Sequence, residues 1–125
     1  MLEESNLVAV YGSLRGGLSN HCVLNDSTLK GEERVTGWDM FSLGGFPAII
    51  KGDGDITIEV YEVHDKYTAD GLDMLEGYPS FYDRKLIDTT LGKAWIYFQN
   101  SPPSHSKVDS GDWKEYLQSK NGEWY

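Results

Sequence analysis

At 125 residues, 39% of them hydrophobic and with four Trp, eight Tyr and four Phe, the chain has the length and apolar content of a single domain, 1–125, with a packed core; this excludes a disordered chain. Twenty Asp and Glu against eleven Lys and Arg give a formal charge of −9, and no basic stripe interleaves with aromatics, so phosphate backbones would be repelled and a nucleic-acid partner is excluded. The one cysteine, Cys22, excludes an internal disulfide or a thiolate metal cluster, and no apolar run approaches the ~18 residues of a membrane span.

The opening residues, Met1-Leu2-Glu3-Glu4-Ser5-Asn6, carry acid where a signal peptide needs base, so a cytoplasmic location is expected. Residues 7–11, Leu-Val-Ala-Val-Tyr, are a short β-favouring run stopped by Gly12-Ser13-Leu14-Arg15-Gly16-Gly17, which predicts a buried first strand entering a glycine-rich loop. Ser19 is placed to cap a short helix reaching about Asp26. Residues 32–43 read as one or two strands, 47–50 as another, and Lys51-Gly52-Asp53-Gly54-Asp55 as a turn.

The strongest strand pattern is 56–63: Ile56, Ile58, Val60 and Glu62 alternate with Thr57, Glu59, Tyr61 and Val63, which assigns them to opposite faces. From Asp65 the period becomes helical, with Ala69, Leu72 and Leu75 on one side and Gly77 as the stop, so Glu76 falls in the last helical turn. Strands are expected at 82–89 and 93–98 around a Thr90-Leu91-Gly92 hairpin turn. A loop then spans Pro102-Pro103, a short helix covers 112–117, and 121–125 fray.

The loop after the first strand has neither the Lys-Ser/Thr pair of a phosphate loop nor dinucleotide spacing. It exposes consecutive backbone N–H groups, which suit a small anion such as a carboxylate, although an ordinary tight turn has the same pattern. Asp53, Asp55 and Glu59 do not complete a calcium loop, and His21, His64 and His105 have no metal-ligand spacing, so the histidines are assigned to surface or capping roles. Cys22 is read as a small buried hydrophobe.

The segment Leu72-Asp73-Met74-Leu75-Glu76-Gly77-Tyr78-Pro79-Ser80-Phe81-Tyr82-Asp83-Arg84 resembles the helix-end signature of the γ-glutamyl cyclotransferase-like family, Leu-Asp-x-x-Glu followed by Tyr-x-Arg. Tyr11-Gly12-Ser13-Leu14-Arg15 resembles the same family's first loop, and 17–24 with Asn20-His21 its continuation. Gly45-Phe46-Pro47-Ala48, Ala94-Trp95-Ile96-Tyr97 and Ser110-Gly111-Asp112-Trp113 follow in the family's order, so the likeness covers nearly the whole chain. It implies an α+β fold, a compact mixed β-barrel with flanking short helices, whose ligand cavity lies where the Tyr11–Arg15 loop meets Glu76. One departure is Ile58, where the family often has Gly before the acid of this strand; a larger side chain there is expected to narrow the cavity.

The resemblance implies an enzyme, a transferase or lyase that needs no cofactor. The α-amine of a γ-glutamyl amide attacks its own γ-carbonyl, releasing an amine or amino acid and 5-oxoproline. In that reaction Glu76 is the expected catalytic base, and the negative end of its helix should raise its pKa. Tyr11 and the N–H groups of Gly12, Ser13 and Leu14 would bind the substrate α-carboxylate, Arg15 would add charge or face solvent, Tyr82 would shape the pocket or bond the substrate, and Arg84 would pair with an acid. The leaving half stays open among γ-glutamyl amino acids, γ-glutamyl-lysine isopeptides, glutathione and other amides. The alternative on the same fold is a non-catalytic module that binds a small anionic ligand.

Overall fold

The computed structural model describes residues 4–101 and 106–122. The expected Pro102-Pro103 loop, His105, residues 123–125 of the expected frayed end and the first three residues lie outside the described residues. In chain order the elements are β1 (Leu7–Val10), a 3-10 turn (His21–Leu24), β2 (Thr28–Ser42), β3 (Pro47–Glu62), α1 (Lys66–Leu75), β4 (Asp83–Thr89), β5 (Gly92–Phe98), β6 (Lys107–Val108) and α2 (Trp113–Gly122). The strands form one mixed six-stranded sheet in the order β4-β5-β1-β3-β2-β6, curled into a half-barrel, with two short helices. No helix among the described residues is long and apolar enough to cross a membrane.

β1 lies inside the sheet, antiparallel to β3 (Val8 opposite Tyr61) and parallel to β5 (Val8 opposite Trp95). Val8, Ala9 and Val10 are all buried, which explains a continuous apolar run rather than an alternating one. In β3 the two expected faces are real: Ile56, Ile58 and Val60 join a core with Trp38, Met40, Ile96 and Trp113, whereas Tyr61 packs with Leu24, Ala69, Leu72 and Tyr82. Both faces are buried, Thr57 and Glu59 included. The alternation therefore reflects side-chain chemistry more than exposure.

Several boundaries differ from the sequence expectation. Residues 51–55 are not a turn; they continue β3, whose 16 residues pair with the 15 of β2 across a long hairpin. Gly52 and Gly54 are needed for close approach: a Cβ at Gly52 would lie 2.1 Å from Asp39 Oδ2, and one at Gly54 would lie 2.7 Å from the Trp38 carbonyl oxygen. Gly54 N–H donates to Asp39 Oδ1 at 3.0 Å. Pairing is nevertheless interrupted there, since Thr36 pairs with Asp55 and Trp38 with Lys51, which leaves Gly37, at φ +94°, opposite residues 52–54 of β3; a positive φ at a bulge is a glycine requirement. The helix expected from Ser19 to Asp26 shrinks to the 3-10 turn, preceded by Asn20 with no side-chain cap. The two-residue β6, opposite Met40 and Phe41, is too short to leave a periodic signal, and α2 runs beyond the expected 117.

α1 follows its expected bounds and apolar side except at Leu75. Asp65 Oδ1 caps it by accepting Thr68 N–H at 2.7 Å. Thr68, Ala69 and Leu72 are buried, while Leu75 is left 43% exposed. At the other end Gly77, with φ +63°, turns the chain: its N–H donates to the Met74 carbonyl at 3.1 Å and Tyr78 N–H to that of Asp73 at 2.9 Å. This pair of bonds is the Schellman closure, and it fixes Glu76 as the last residue before the chain leaves the helix.

Candidate active site

A cavity of about 350 Å³ opens at the end of β1. Its lining includes Tyr11, Gly12, Ser13 and Leu14 from the first loop, Phe46 and Pro47 from the start of β3, Glu76 at the end of α1, and Phe81, Tyr82 and Tyr97. Six of the seven residues singled out from the sequence thus share one cavity. Arg15 does not line it.

The loop geometry follows from its packing partners. A Cβ on Gly12 would lie 2.8 Å from both Cγ and Cδ of Pro47, so glycine is what lets the loop sit against that ring. Arg15 N–H donates to the Gly12 carbonyl at 3.0 Å, and the Asn20 amide donates to Ser13 Oγ at 2.8 Å while Asn20 N–H reaches the Ser13 carbonyl at 2.9 Å. Among the described residues the N–H groups of Gly12, Ser13 and Leu14 make no hydrogen bond. Three successive free donors bordering a cavity are suited to one carboxylate. Gly12→Ala should therefore push the loop off Pro47 and destabilise the fold by about 1–3 kcal/mol, the cost of overpacking of this kind, which urea denaturation of the two proteins checks.

Arg15, expected to add charge or face solvent, is 2% exposed and sits in an ion-pair network behind the loop. Its Nε donates to Glu59 at 2.8 Å, Nη1 to Asp112 at 2.8 Å and Nη2 to Glu32 at 3.0 Å. Glu59 also accepts from Gly16 N–H at 2.9 Å, Tyr61 OH at 2.8 Å and Lys114 Nζ at 3.2 Å. Burial alone would raise the Glu59 pKa; the bonds from Gly16, Arg15, Tyr61 and Lys114 outweigh it and hold the carboxyl at about 2. The preceding Ile58 is fully buried in the opposite core and does not border the cavity, so the expected narrowing is absent. Neighbours in a strand point to opposite faces.

Glu76 is partly buried, and its carboxylate has no hydrogen-bond partner among the described residues. Burial pushes its pKa up to about 7; desolvation, rather than the helix end expected from the sequence, is the cause. Three tyrosines line the same cavity with their protons committed elsewhere: Tyr11 OH donates to the Tyr97 carbonyl at 2.8 Å, Tyr82 OH to the Pro47 carbonyl at 2.7 Å and Tyr97 OH to Asp73 Oδ1 at 2.7 Å. Burial first, with the Glu76 charge among the lesser causes, raises all three phenol pKa values. Neutral hydroxyls whose protons are engaged in donated hydrogen bonds present lone pairs, which accept from an ammonium or amide N–H.

Arg84 pairs with Asp73, one α1 turn before Glu76, and its guanidinium lies 4.1 Å from the Tyr78 ring centroid and 4.9 Å from that of Trp95. Asn20, Phe46, Phe81 and Tyr97 were not among the site residues read from the sequence; aromatic residues in loops and strands look like core. Cys22, read as buried, is exposed on the 3-10 turn, because Leu24 is the residue that turns inward there. His21 Nδ1 lies 2.9 Å from the Leu14 carbonyl oxygen and His64 Nε2 lies 2.8 Å from Thr28 Oγ1, in keeping with local structural roles.

The family model described as gamma-glutamyl cyclotransferase, AIG2-like, matches residues 8–115. A Vibrio cholerae protein bearing the name "Putative gamma-glutamylcyclotransferase" is 44% identical over 110 residues, covering 86% of this chain and 95% of its own. YtfP of Escherichia coli K12, named a gamma-glutamylcyclotransferase family protein, is 36% identical over 107 residues, covering 85% and 94%. A crystal structure of a Pyrococcus horikoshii protein superposes with a TM-score of 0.85 at 30% identity, over 97% of this chain and all of that one.

Proposed function

Because the chain belongs to the gamma-glutamyl cyclotransferase, AIG2-like family, we infer that its cavity converts a γ-glutamyl amide into 5-oxoproline and a free amine, with Glu76 as the proton-transferring group. The observation that supports this most is the pairing in one cavity of an unbonded carboxylate whose pKa is about 7 with three free backbone donors.

The N–H groups of Gly12, Ser13 and Leu14 hold the substrate α-carboxylate. The hydroxyl oxygens of Tyr11, Tyr82 and Tyr97 and the carboxylate of Glu76 face the α-ammonium. Glu76 removes a proton from that ammonium, and the freed nitrogen lone pair attacks the γ-carbonyl carbon to close a five-membered ring. The ring nitrogen sheds a second proton as the bond from carbon to the amide nitrogen breaks. The two protons shed on one side are the two that the departing nitrogen gains in leaving as an ammonium, so a single carboxylate between the nitrogens suffices and no water is consumed. Holding the substrate folded supplies the larger share of the acceleration; intramolecular geometry is worth roughly 7–11 kcal/mol in ideal cases.

The test is 5-oxoproline release from a panel of γ-glutamyl amides by the wild-type protein and by Glu76→Gln. Release by the first and not the second supports the reading. Binding of the panel without release, from folded wild-type protein, would turn it toward a module that captures its ligand without chemistry.

A further inference from the structure

The chemistry of the leaving half can be narrowed from the rim of the cavity, on the premise that the site is the one just assigned. Phe46, Phe81 and Leu75 border the cavity and are nevertheless 41%, 51% and 43% exposed, so they stand at its mouth rather than in its wall. The two phenyl rings meet edge to face, with centroids 6.1 Å apart, and Phe81 packs edge-on against Tyr82 at 4.9 Å. Phe81 is held by the turn that also positions Glu76: its N–H donates to the Gly77 carbonyl at 2.7 Å, and a Cβ on Gly77 would come within 3.0 Å of Phe81 Cβ. An apolar rim is thereby tied to the proton-transferring group.

Charge sharpens the selection. Among the described residues no Lys, Arg or His borders the cavity. Arg15 is consumed by three acids and Arg84 by Asp73. The free loop donors suit one carboxylate, which the glutamyl half brings. A leaving half with a carboxylate of its own would place a second anion beside Glu76, in a chain of net charge −9, with no counter-charge among the described cavity residues to receive it.

We propose that the Phe46–Phe81 rim is a leaving-group subsite selecting γ-glutamyl amides whose amine half is apolar and lacks a carboxylate. Three matched substrates isolate its two components: γ-glutamylphenethylamide, γ-glutamylphenylalanine, which differs from it only by a carboxylate, and γ-glutamylethylamide, which lacks the ring. The phenethylamide should exceed the phenylalanine compound at least tenfold in kcat/KM and the ethylamide by about tenfold, the scale of withdrawing one phenyl group from water. Phe46→Ser and Phe81→Ser should each bring the phenethylamide-to-ethylamide ratio toward one. Equal or better use of γ-glutamylphenylalanine, or a ratio indifferent to both substitutions, overturns the subsite while leaving 5-oxoproline formation in place. If no compound is turned over, calorimetric Kd values for the same three on wild type and both Phe variants decide: the same order and the same collapse uphold the subsite although the cyclotransferase reading has failed, and a flat order or no binding overturns it.

Discussion

In Glu76→Gln, 5-oxoproline release should fall by about 10²–10⁴-fold, the range that positioned proton transfer contributes, while the protein becomes more stable at pH 8. The two effects share one cause. The carboxyl is held at about 7 against an ordinary 4.5 because its charged form is desolvated. A carboxyl whose folded pKa is raised favours the native state below about pH 4.5, and that advantage is lost as pH rises through 7. Above 7 the wild-type protein carries a buried charge that Gln does not, on the order of 2 kcal/mol after allowing for burial of the amide. Urea denaturation at pH 5 and pH 8 should show the two proteins diverging only at the higher pH. Wild-type kcat/KM should rise with pH through about 7, since the free protein needs Glu76 ionised to accept a proton. A flat profile there, or a Gln variant with full turnover, would remove Glu76 from the chemistry.

Arg15→Met should lose about 3–5 kcal/mol, as expected when one member of a buried ion pair is deleted and its partners keep their charge. Glu59 is 4% exposed and cannot recover solvation by moving outward. Arg15→Lys should recover only part of this, because one ammonium cannot serve as the fork that reaches Glu59, Asp112 and Glu32 together. The acid limb of stability distinguishes this network from simple packing. With its pKa depressed to about 2, Glu59 stabilises the wild-type fold above about 4.5 and loses that contribution as pH falls toward 2; in both variants the loss should begin at higher pH. Arg15 is a positioning residue for the loop, so the Lys variant should show a raised KM with kcat less affected. A Met variant as stable as wild type would mean that the acids find other partners.

How much of this was legible in the sequence depends on the length of the signal. Leu7–Val10 and Ile56–Val63 announce strands because burial or alternation persists over several residues, and Asp65 with Gly77 brackets α1 at both ends. That residues 11–14, Glu76 and Tyr82 border one cavity was legible through two motifs read together. Arg15 was misplaced because a charged residue beside a glycine-rich loop reads as solvent-facing; only the folded chain reveals that Glu59 and Asp112, 44 and 97 residues away, converge on it. Residues 51–55 were misread because two glycines among charges look like a turn, whereas here the absence of side chains makes room for Asp39. The aromatic rim was invisible for the same reason: exposure of Phe46 and Phe81 is a property of tertiary placement.

The interior position of β1 also governs when the site comes into being during synthesis. The β2–β3 hairpin joins neighbours in sequence and closes at little entropic cost, whereas β1 pairs with the far end of β3 across about fifty residues and is enclosed only when β5 arrives, with Val8 set against Trp95 and Ala9 against Ile96. A nascent chain halted before residue 92 already contains every glycine of the first loop and Glu76, yet lacks the strand that flanks β1 and supplies Tyr97. Pulsed hydrogen exchange during refolding should accordingly protect the Thr28–Ser42 and Pro47–Glu62 amides before those of Leu7–Val10. The glycine-rich loop, which precedes the long hairpin in the chain, is among the last parts of the molecule to acquire its shape, and a chain interrupted before β5 would lack a complete cavity despite holding Glu76.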